Sequence, residues 1–316
     1  MTPSDPAVVR DAYSVGYRRR RAEIPAAELG VQIDALFSAG YRTTLVAAHD
    51  DGDLLRVVYL FTARDPDRRV ELQLRLDPVD ATVPSQYRRS VAISRFEREM
   101  QDLFGITPTG HPSPGRLVAH GHWPRDWHPM RPGGRRPTMS GDREPFPFLH
   151  VEGEGVYQIP VGPIHAGLIE PGHFRFSVVG ETIIDLKPRL WYVHKGIEML
   201  FQGKTPHDAM ALAERISGDS AVAHSLAFCL AVEDALGLEV STSDLRHRAI
   251  LLEMERLYNH VADIGALCND VGYGFANAHA MRIRESLLRL NETATAPAPP
   301  RRALARGHRC ARAPHG

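Results

Sequence analysis

Two turn signals, "DDGD" at 50–53 and "RDPDR" at 64–68, cut residues 41–76 into three short runs. The runs, "YRTTLVAAH", "LLRVVYLFTA" and "VELQLRL", are rich in Val, Leu, Tyr and Thr, side chains that fit a pleated, half-buried surface. Asp, Gly and Pro supply the breaks. Three strands so closely spaced read as an antiparallel meander, which constrains this part of the chain more than any other feature does. A helix at 26–38 would cover one face. A second helix, "ISRFEREMQDLFG", has Ser94 as its expected cap, with Glu97 three residues on to complete a capping box. Phe96, Met100, Leu103 and Phe104 form its apolar stripe and Gly105 its stop. A sheet with flanking helices predicts an α+β domain.

At 316 residues the chain is long enough for two domains, each with its own core. Its 38 basic and 38 acidic side chains balance, so no overall field draws it to nucleic acid or anionic lipid. The arginine run at 18–21 is a local exception that reads as a solvated face. Three cysteines, Cys229, Cys268 and Cys310, are too few and too scattered for a disulfide framework and predict a reducing compartment. There is neither a charged-then-apolar leader nor a membrane-length apolar run. Membrane attachment would therefore come through other subunits.

From 107 to 147 the chain is dense in Pro, Gly, Arg, His and Trp and reads as an extended arm and linker. The expected organisation is a first domain with its arm at 1–135, a linker at 136–147, a second domain at 148–291 and a tail at 292–316. The second domain opens with the strand-like pieces "GVYQIPVGPIH" and "HFRFSVVGETIIDLKPRL" and continues as three helices. Thr205 should cap the first, with Pro206 at its first position and Asp208 at its third. The second runs over 220–236 and stops at Gly237. The third, at 244–268, carries Ile250, Met254, Leu257, Val261, Ile264 and Cys268 at 4-3-4-3-4 spacing, a packing seam whose default meaning is core. Another face carries Glu253, Arg256, His260 and Asp263, which fits a solvated face, an interface with a neighbouring protein or a polar channel equally well. Beyond Asn291 the composition turns abruptly to Ala, Pro and Arg and predicts a disordered tail. The helix before it, "NAHAMRIRESLLRL", is left without a partner for its apolar face. A truncated or frame-shifted chain is the favoured reading.

Several separated segments share one resemblance. "RFEREMQDLFGITPTGHPSPGRLV" followed by "WHPMRP" resembles the signature of the small C-type (30 kDa) subunit of respiratory complex I. "VGPIHAGLIEPGHFRF", "YVHKGIEML", "TPHDAMALAERISG", "AHSLAFCLAVEDALG" and "LLEMERLYNH" resemble, in order, the large subunit of group 4 nickel–iron hydrogenases. The type is that of formate hydrogenlyase subunit 5, itself related to the D-type (49 kDa) subunit of complex I. The resemblance implies a membrane-associated redox complex of the hydrogenase or NADH-quinone oxidoreductase kind. It implies a cytoplasmic position on the inner face of the cell membrane, with membrane subunits and a small iron–sulfur subunit as partners and no nucleic acid. No nucleotide-binding glycine loop is present, so any NADH would bind elsewhere in the complex.

The resemblance also locates the chemistry, and there the sequence departs. In the hydrogenases R-x-C-G-x-C supplies two of four thiolates to a nickel–iron centre, and soft, strongly donating ligands suit such a centre. The matching residues here are Ser217 and Ser220, in "RISGDS". A second cysteine pair would lie beyond Asn291, where the chain has none. No bound cofactor is therefore expected, and Ser217 could instead cap a helix. The quinone-reducing relatives place a histidine and a tyrosine at the quinone, and the matching residues here are Ile169 and Gly218. His165 matches a first family histidine, and Glu170 a carboxylate at which proton relay is proposed. Lys195 and Arg215 match basic positions near a partner's iron–sulfur cluster, with Glu198 in the same "HKGIE" loop. The bland alternatives are a surface pair of Lys195 with Glu198 and a turn role for Glu170. His111, His120, His122 and His128 crowd the arm and could bind zinc, but no cysteine or carboxylate at ligand spacing joins them.

Overall fold

The computed structural model describes residues 9, 12–16, 18–64, 67–132, 137–139, 146–164 and 170–295. The chain divides into two compact units, residues 1–194 and 195–316. Each is described in turn.

In the first unit β1 (Tyr13–Gly16) and β2 (Arg19–Glu23) precede α1 (Leu29–Ser38). The three runs of the meander follow as β3 (Arg42–Asp50), β4 (Leu55–Ala63) and β5 (Arg68–Leu76), each antiparallel to the next. The sheet order is β1-β2-β5-β4-β3, with β2 parallel to β5. A parallel neighbour requires a long crossover, here supplied by α1, β3 and β4. Arg19, Arg20 and Arg21 of the arginine run therefore lie half-buried in a strand, and Arg18 alone is exposed, in the turn before it. Arg19 and Arg21 reach Glu71 of β5 at 3.3 and 2.8 Å, which neutralises a carboxylate that is only 8% exposed.

Strict alternation along β4 buries Leu55, Val57, Tyr59, Phe61 and Ala63, and β5 adds Val70, Leu72 and Leu74. Leu29, Ile33 and Leu36 of α1 join this core, as do Ile93, Met100, Leu103 and Phe104 of α2 (Val91–Phe104). Each such side chain contributes about 1.5–3 kcal/mol on burial. Gly105 stops α2 in the left-handed conformation, at φ 74°. The expected capping box is not formed. The helix begins after Ser90, so Ser94 and Glu97 lie inside it, buried, and their polar atoms turn to other partners. β6 (Thr82–Pro84) and β7 (Thr107–Thr109) pair in parallel on either side of α2 in the chain.

Beyond β7 the described residues of the arm, 110–132, form no helix or strand, yet Leu117 and Val118 enter the core. Helix α2 fastens it. Arg98 donates to the carbonyls of Gly115 and Arg116 at 2.7 and 2.8 Å. Oδ2 of Asp102 accepts from the backbone N–H groups of Leu117, Val118 and Ala119 at 2.8, 2.8 and 3.0 Å. The guanidinium of Arg116 donates to the carbonyls of His120, Trp123 and Pro124. Of the expected linker at 136–147, residues 137–139 and 146–147 alone are described.

A three-stranded antiparallel sheet completes this unit, in the order β10 (Thr182–Arg189), β9 (His173–Val179), β8 (Val156–Val161). Its pairing aligns Tyr157, Val178 and Ile183, and likewise Ile159, Phe176 and Leu186. The sequence reading grouped these strands with the helices from residue 148 onward, whereas the units divide at 194/195.

The second unit comprises α3 (Ile197–Phe201), α4 (Pro206–Ala213), α5 (Ala221–Leu236), α6 (Thr242–Asp270) and α7 (Gly274–Thr295). Thr205 caps α4 through the Asp208 N–H at 3.2 Å, with Pro206 first in the helix. Gly237, at φ 64°, ends α5. The apolar seam of α6 is not core. Ile250, Leu257 and Ile264 are 51–60% exposed, and the buried face of the helix is Arg248, Leu251, Glu255 and Gly265. Spacing identifies which residues share a stripe but cannot tell whether a partner covers it. The stripe of Glu253, Arg256, His260 and Asp263 is exposed. The following helix does have a partner, and it extends to Thr295, past the expected boundary at 291. A Cβ at Gly265 would meet that of Ala280 at 2.8 Å, so the glycine lets α7 approach α6 closely. Residues 296–316, including Cys310, lie outside the described residues.

Candidate functional site

The loop "RISGDS" joins α4 to α5 and passes through a 3-10 turn at Gly218–Ser220. Two side chains from outside the loop fix its course, and a third anchors the start of the helix that follows. Lys195, exposed before α3, donates from Nζ to the Ile216 carbonyl at 2.9 Å. Asn259 of α6 donates to the Asp219 carbonyl at 2.5 Å. Glu255 of α6, 3% exposed, accepts from the N–H groups of Val222 and Ala223 at 2.6 and 2.9 Å. Those are among the first donors of α5, left without partners inside the helix. A carboxylate from another helix thus does the capping that the sequence assigned to Ser217, and it lies where the helix dipole favours negative charge. The Tyr258 hydroxyl leans on Glu255 at 3.4 Å, and burial beside that carboxylate pushes its pKa up to about 12.

The serines have other engagements. The Ser217 hydroxyl donates to Oδ1 of Asp219. That bond, aided by the nearby His224 and Lys195, holds the Asp219 carboxyl below the usual carboxylate range. Nδ1 of His224 lies 2.9 Å from the Ser220 carbonyl and 3.0 Å from the Ser220 hydroxyl oxygen. A carbonyl can only accept, so Nδ1 carries the hydrogen.

This donor set does not fit a soft bimetallic centre. It offers hydroxyls, a carboxylate and an imidazole, hard or intermediate ligands, with the Ser217 hydroxyl bonded to Asp219 and the Ser220 hydroxyl to His224 of α5. Cys229 is buried in α5 and Cys268 is half-buried in α6, so neither belongs to the loop. Among the described residues, no group of three or more His, Cys, Asp or Glu is arranged to hold a metal ion. The arm histidines each meet a different neighbour. His111 bonds Ser94 at 2.9 Å, His120 the Trp191 carbonyl at 3.3 Å and His128 the Asp102 carbonyl at 3.1 Å, while His122 stacks on His120. Burial lowers the pKa of His120.

The expected interface residues lie on or beside the same loop. Lys195 and Arg215 are exposed, and so is Glu198 in the first turn of α3. The tether from Lys195 to Ile216 replaces the simple surface pairing with Glu198. Glu170 is exposed in the first unit, just before β9, and His165 lies outside the described residues. The sequence reading missed Asp219, His224, Glu255 and Asn259. One signal was available for Glu255: it falls on the Arg248–Leu251 face of α6, where a carboxylate must find a partner.

Comparison with known proteins places two families on the two units. Residues 24–133 match the model for the respiratory-chain NADH dehydrogenase 30 kDa subunit, and residues 195–268 match nickel-dependent hydrogenase. Hydrogenase-4 component G of Escherichia coli is 39% identical over 214 residues, which cover 66% of this chain and 39% of the relative. Formate hydrogenlyase subunit 5 of the same organism is 34% identical over 232 residues, 72% of this chain and 41% of the relative. The chain is a homologue of both proteins. The C/D subunit of NADH-quinone oxidoreductase from Bacteroides thetaiotaomicron is 30% identical over 217 residues, 62% of this chain and 41% of that protein. The matched region therefore spans about two fifths of the length of these relatives. Homology to these proteins agrees with the expected order, a C-type part followed by a hydrogenase-like part.

Proposed function

We propose that this chain is a subunit of a membrane-associated redox assembly of the formate hydrogenlyase or NADH-quinone oxidoreductase kind. It docks an iron–sulfur subunit against the loop at 215–220 and the neighbouring Lys195 and Glu198, and it binds no nickel–iron centre of its own. The observation that carries the reading is the engagement of Ser217 and Ser220. They stand where the hydrogenase pattern has thiolates; the Ser217 hydroxyl is bonded to Asp219 inside the loop and the Ser220 hydroxyl lies against His224 in the first turn of α5. The loop is nonetheless held in shape by Lys195 and Asn259, with Glu255 capping the helix after it, which favours a docking body over a relic without a role. Exposed Arg215, Lys195 and Glu198 supply charges that a partner's surface carboxylates and amines can meet. No helix among the described residues is long and apolar enough to cross a membrane. Attachment at the inner face of the cell membrane is assigned to the partners.

Co-purification tests this reading. A tagged chain expressed with its neighbouring subunits should bring down a small iron–sulfur protein. Arg215→Glu should weaken that association at least tenfold. Lys195→Gln, which keeps a donor for the Ile216 carbonyl but removes the charge, should weaken it less. Undiminished association in both variants would refute the docking role of this loop.

A further inference from the structure

The first unit holds a sealed pair of titratable groups that its signature helix and its arm create together. Glu97 of α2 and His111, two residues beyond β7, have side chains 0% and 1% exposed, with Nε2 of His111 4.0 Å from Oε2 of Glu97. The Glu97 carboxylate accepts from the Ser85 hydroxyl and the Gln86 N–H, both at 2.7 Å. His111 is held at both nitrogens. Nδ1 accepts from the Ser113 N–H at 3.0 Å, and Nε2 lies 2.9 Å from the Ser94 hydroxyl. Because Nδ1 accepts, the neutral ring carries its hydrogen on Nε2. The other groups facing the pair are the Tyr59 hydroxyl from β4 and the Tyr87 ring, 5.8 Å from that of His111.

We propose that Glu97 and His111 form a proton-operated clasp at the root of the arm. A second proton on His111 has only Nδ1 to occupy. There it turns an acceptor into a donor facing the Ser113 N–H, and the turn at 111–113 loses its bond. The imidazolium then swings its Nε2–H from Ser94 toward Glu97, which holds the opposite charge in the same dry pocket. Acid thus exchanges a neutral turn for an internal ion pair. The opening stays local, because Gln101 and Arg98 grip the carbonyls of Pro114 and Gly115 from the next turn of α2. The segment that shifts leads straight into the part of the arm bound by Asp102. Burial raises the pKa of Glu97, and the carboxyl is the competing acceptor for the same proton.

The test is nitrogen NMR of the full chain labelled at histidine, with amide exchange at Ser113, from about pH 8 to about pH 5. The clasp predicts that Nδ1 of His111 becomes protonated and that protection of the Ser113 amide, corrected for its intrinsic rate, falls about tenfold or more with the same midpoint. His111→Gln, which cannot titrate, should keep its protection constant. Glu97→Gln, which removes the counter-charge, should move the midpoint to lower pH. Two wild-type results overturn the proposal without need of a variant: Ser113 protection unchanged through the His111 titration, or His111 neutral throughout while the Glu97 carboxyl takes the proton.

Discussion

Asp102 offers the sharpest stability test. One oxygen of this side chain, in a residue 7% exposed, accepts three consecutive backbone N–H groups at 2.8–3.0 Å. In Asp102→Ala all three lose their acceptor inside the protein. An unsatisfied buried donor costs about 1–3 kcal/mol, and three neighbours on one oxygen relax together, so the costs do not simply add. The expected loss is about 3–5 kcal/mol, the range for breaking a buried charged contact. For a unit of this size it corresponds to a fall in Tm of about 6–20 °C. Asp102→Asn keeps an acceptor but not the charge and should lose about half as much, since charge-assisted bonds are roughly twice as strong as neutral ones. Guanidinium unfolding followed by tryptophan fluorescence is the assay. The three tryptophans, Trp123, Trp127 and Trp191, all lie in the first unit, so the signal reports that unit alone. An Asp102→Ala midpoint within about 0.5 kcal/mol of wild type would refute the clamp. An Asn variant as damaged as the Ala variant would show that charge, not acceptance, sets the effect.

Glu255→Ala should destabilise the second unit by about 2–4 kcal/mol and speed exchange of the Val222 and Ala223 amides, with Glu255→Gln milder; unchanged exchange would dismiss the interhelix cap. The pKa of Glu97 is raised in the fold by burial, so the fold prefers its protonated form. Its contribution is present in full below the ordinary value of 4.5 and is lost as pH rises through the raised value. Unfolding curves at several pH values should therefore favour Glu97→Gln over wild type increasingly as pH rises through that window, and a constant difference would contradict this. Gly265→Leu must push Ala280 and Met281 aside and should cost about 1–3 kcal/mol, read by helical ellipticity on melting; a neutral effect would mean that α7 packs elsewhere.

How much of this was legible in the sequence depends on how far apart the interacting residues lie. The meander was readable because the period of β4 and the Asp, Gly and Pro turns are local, and the same holds for Gly105, Gly237 and the Thr205–Pro206 start. β2 was not, because Arg19 and Arg21 pair with Glu71, about fifty residues away, which no local pattern announces. Ser94 and Glu97 satisfied a capping rule that Ser90 pre-empted, and their polar atoms found His111 and Gln86 instead. At the candidate site the loop was found through its serines. What shapes it comes from Glu255 and Asn259, more than thirty residues downstream, and only the fold brings them there. The seam of α6 was read correctly as a stripe and wrongly as core, since periodicity describes one helix and burial requires two.

The central claim is that the Ser217–Ser220 loop serves contact and holds no nickel. Metal quantification on the tagged chain, purified together with its partner subunits from nickel-supplied cells, addresses it most directly. The account predicts iron in proportion to the iron–sulfur partner and nickel far below one atom per chain, unaffected by Ser217→Ala or Ser220→Ala. One nickel per chain, lost in either variant, would contradict it.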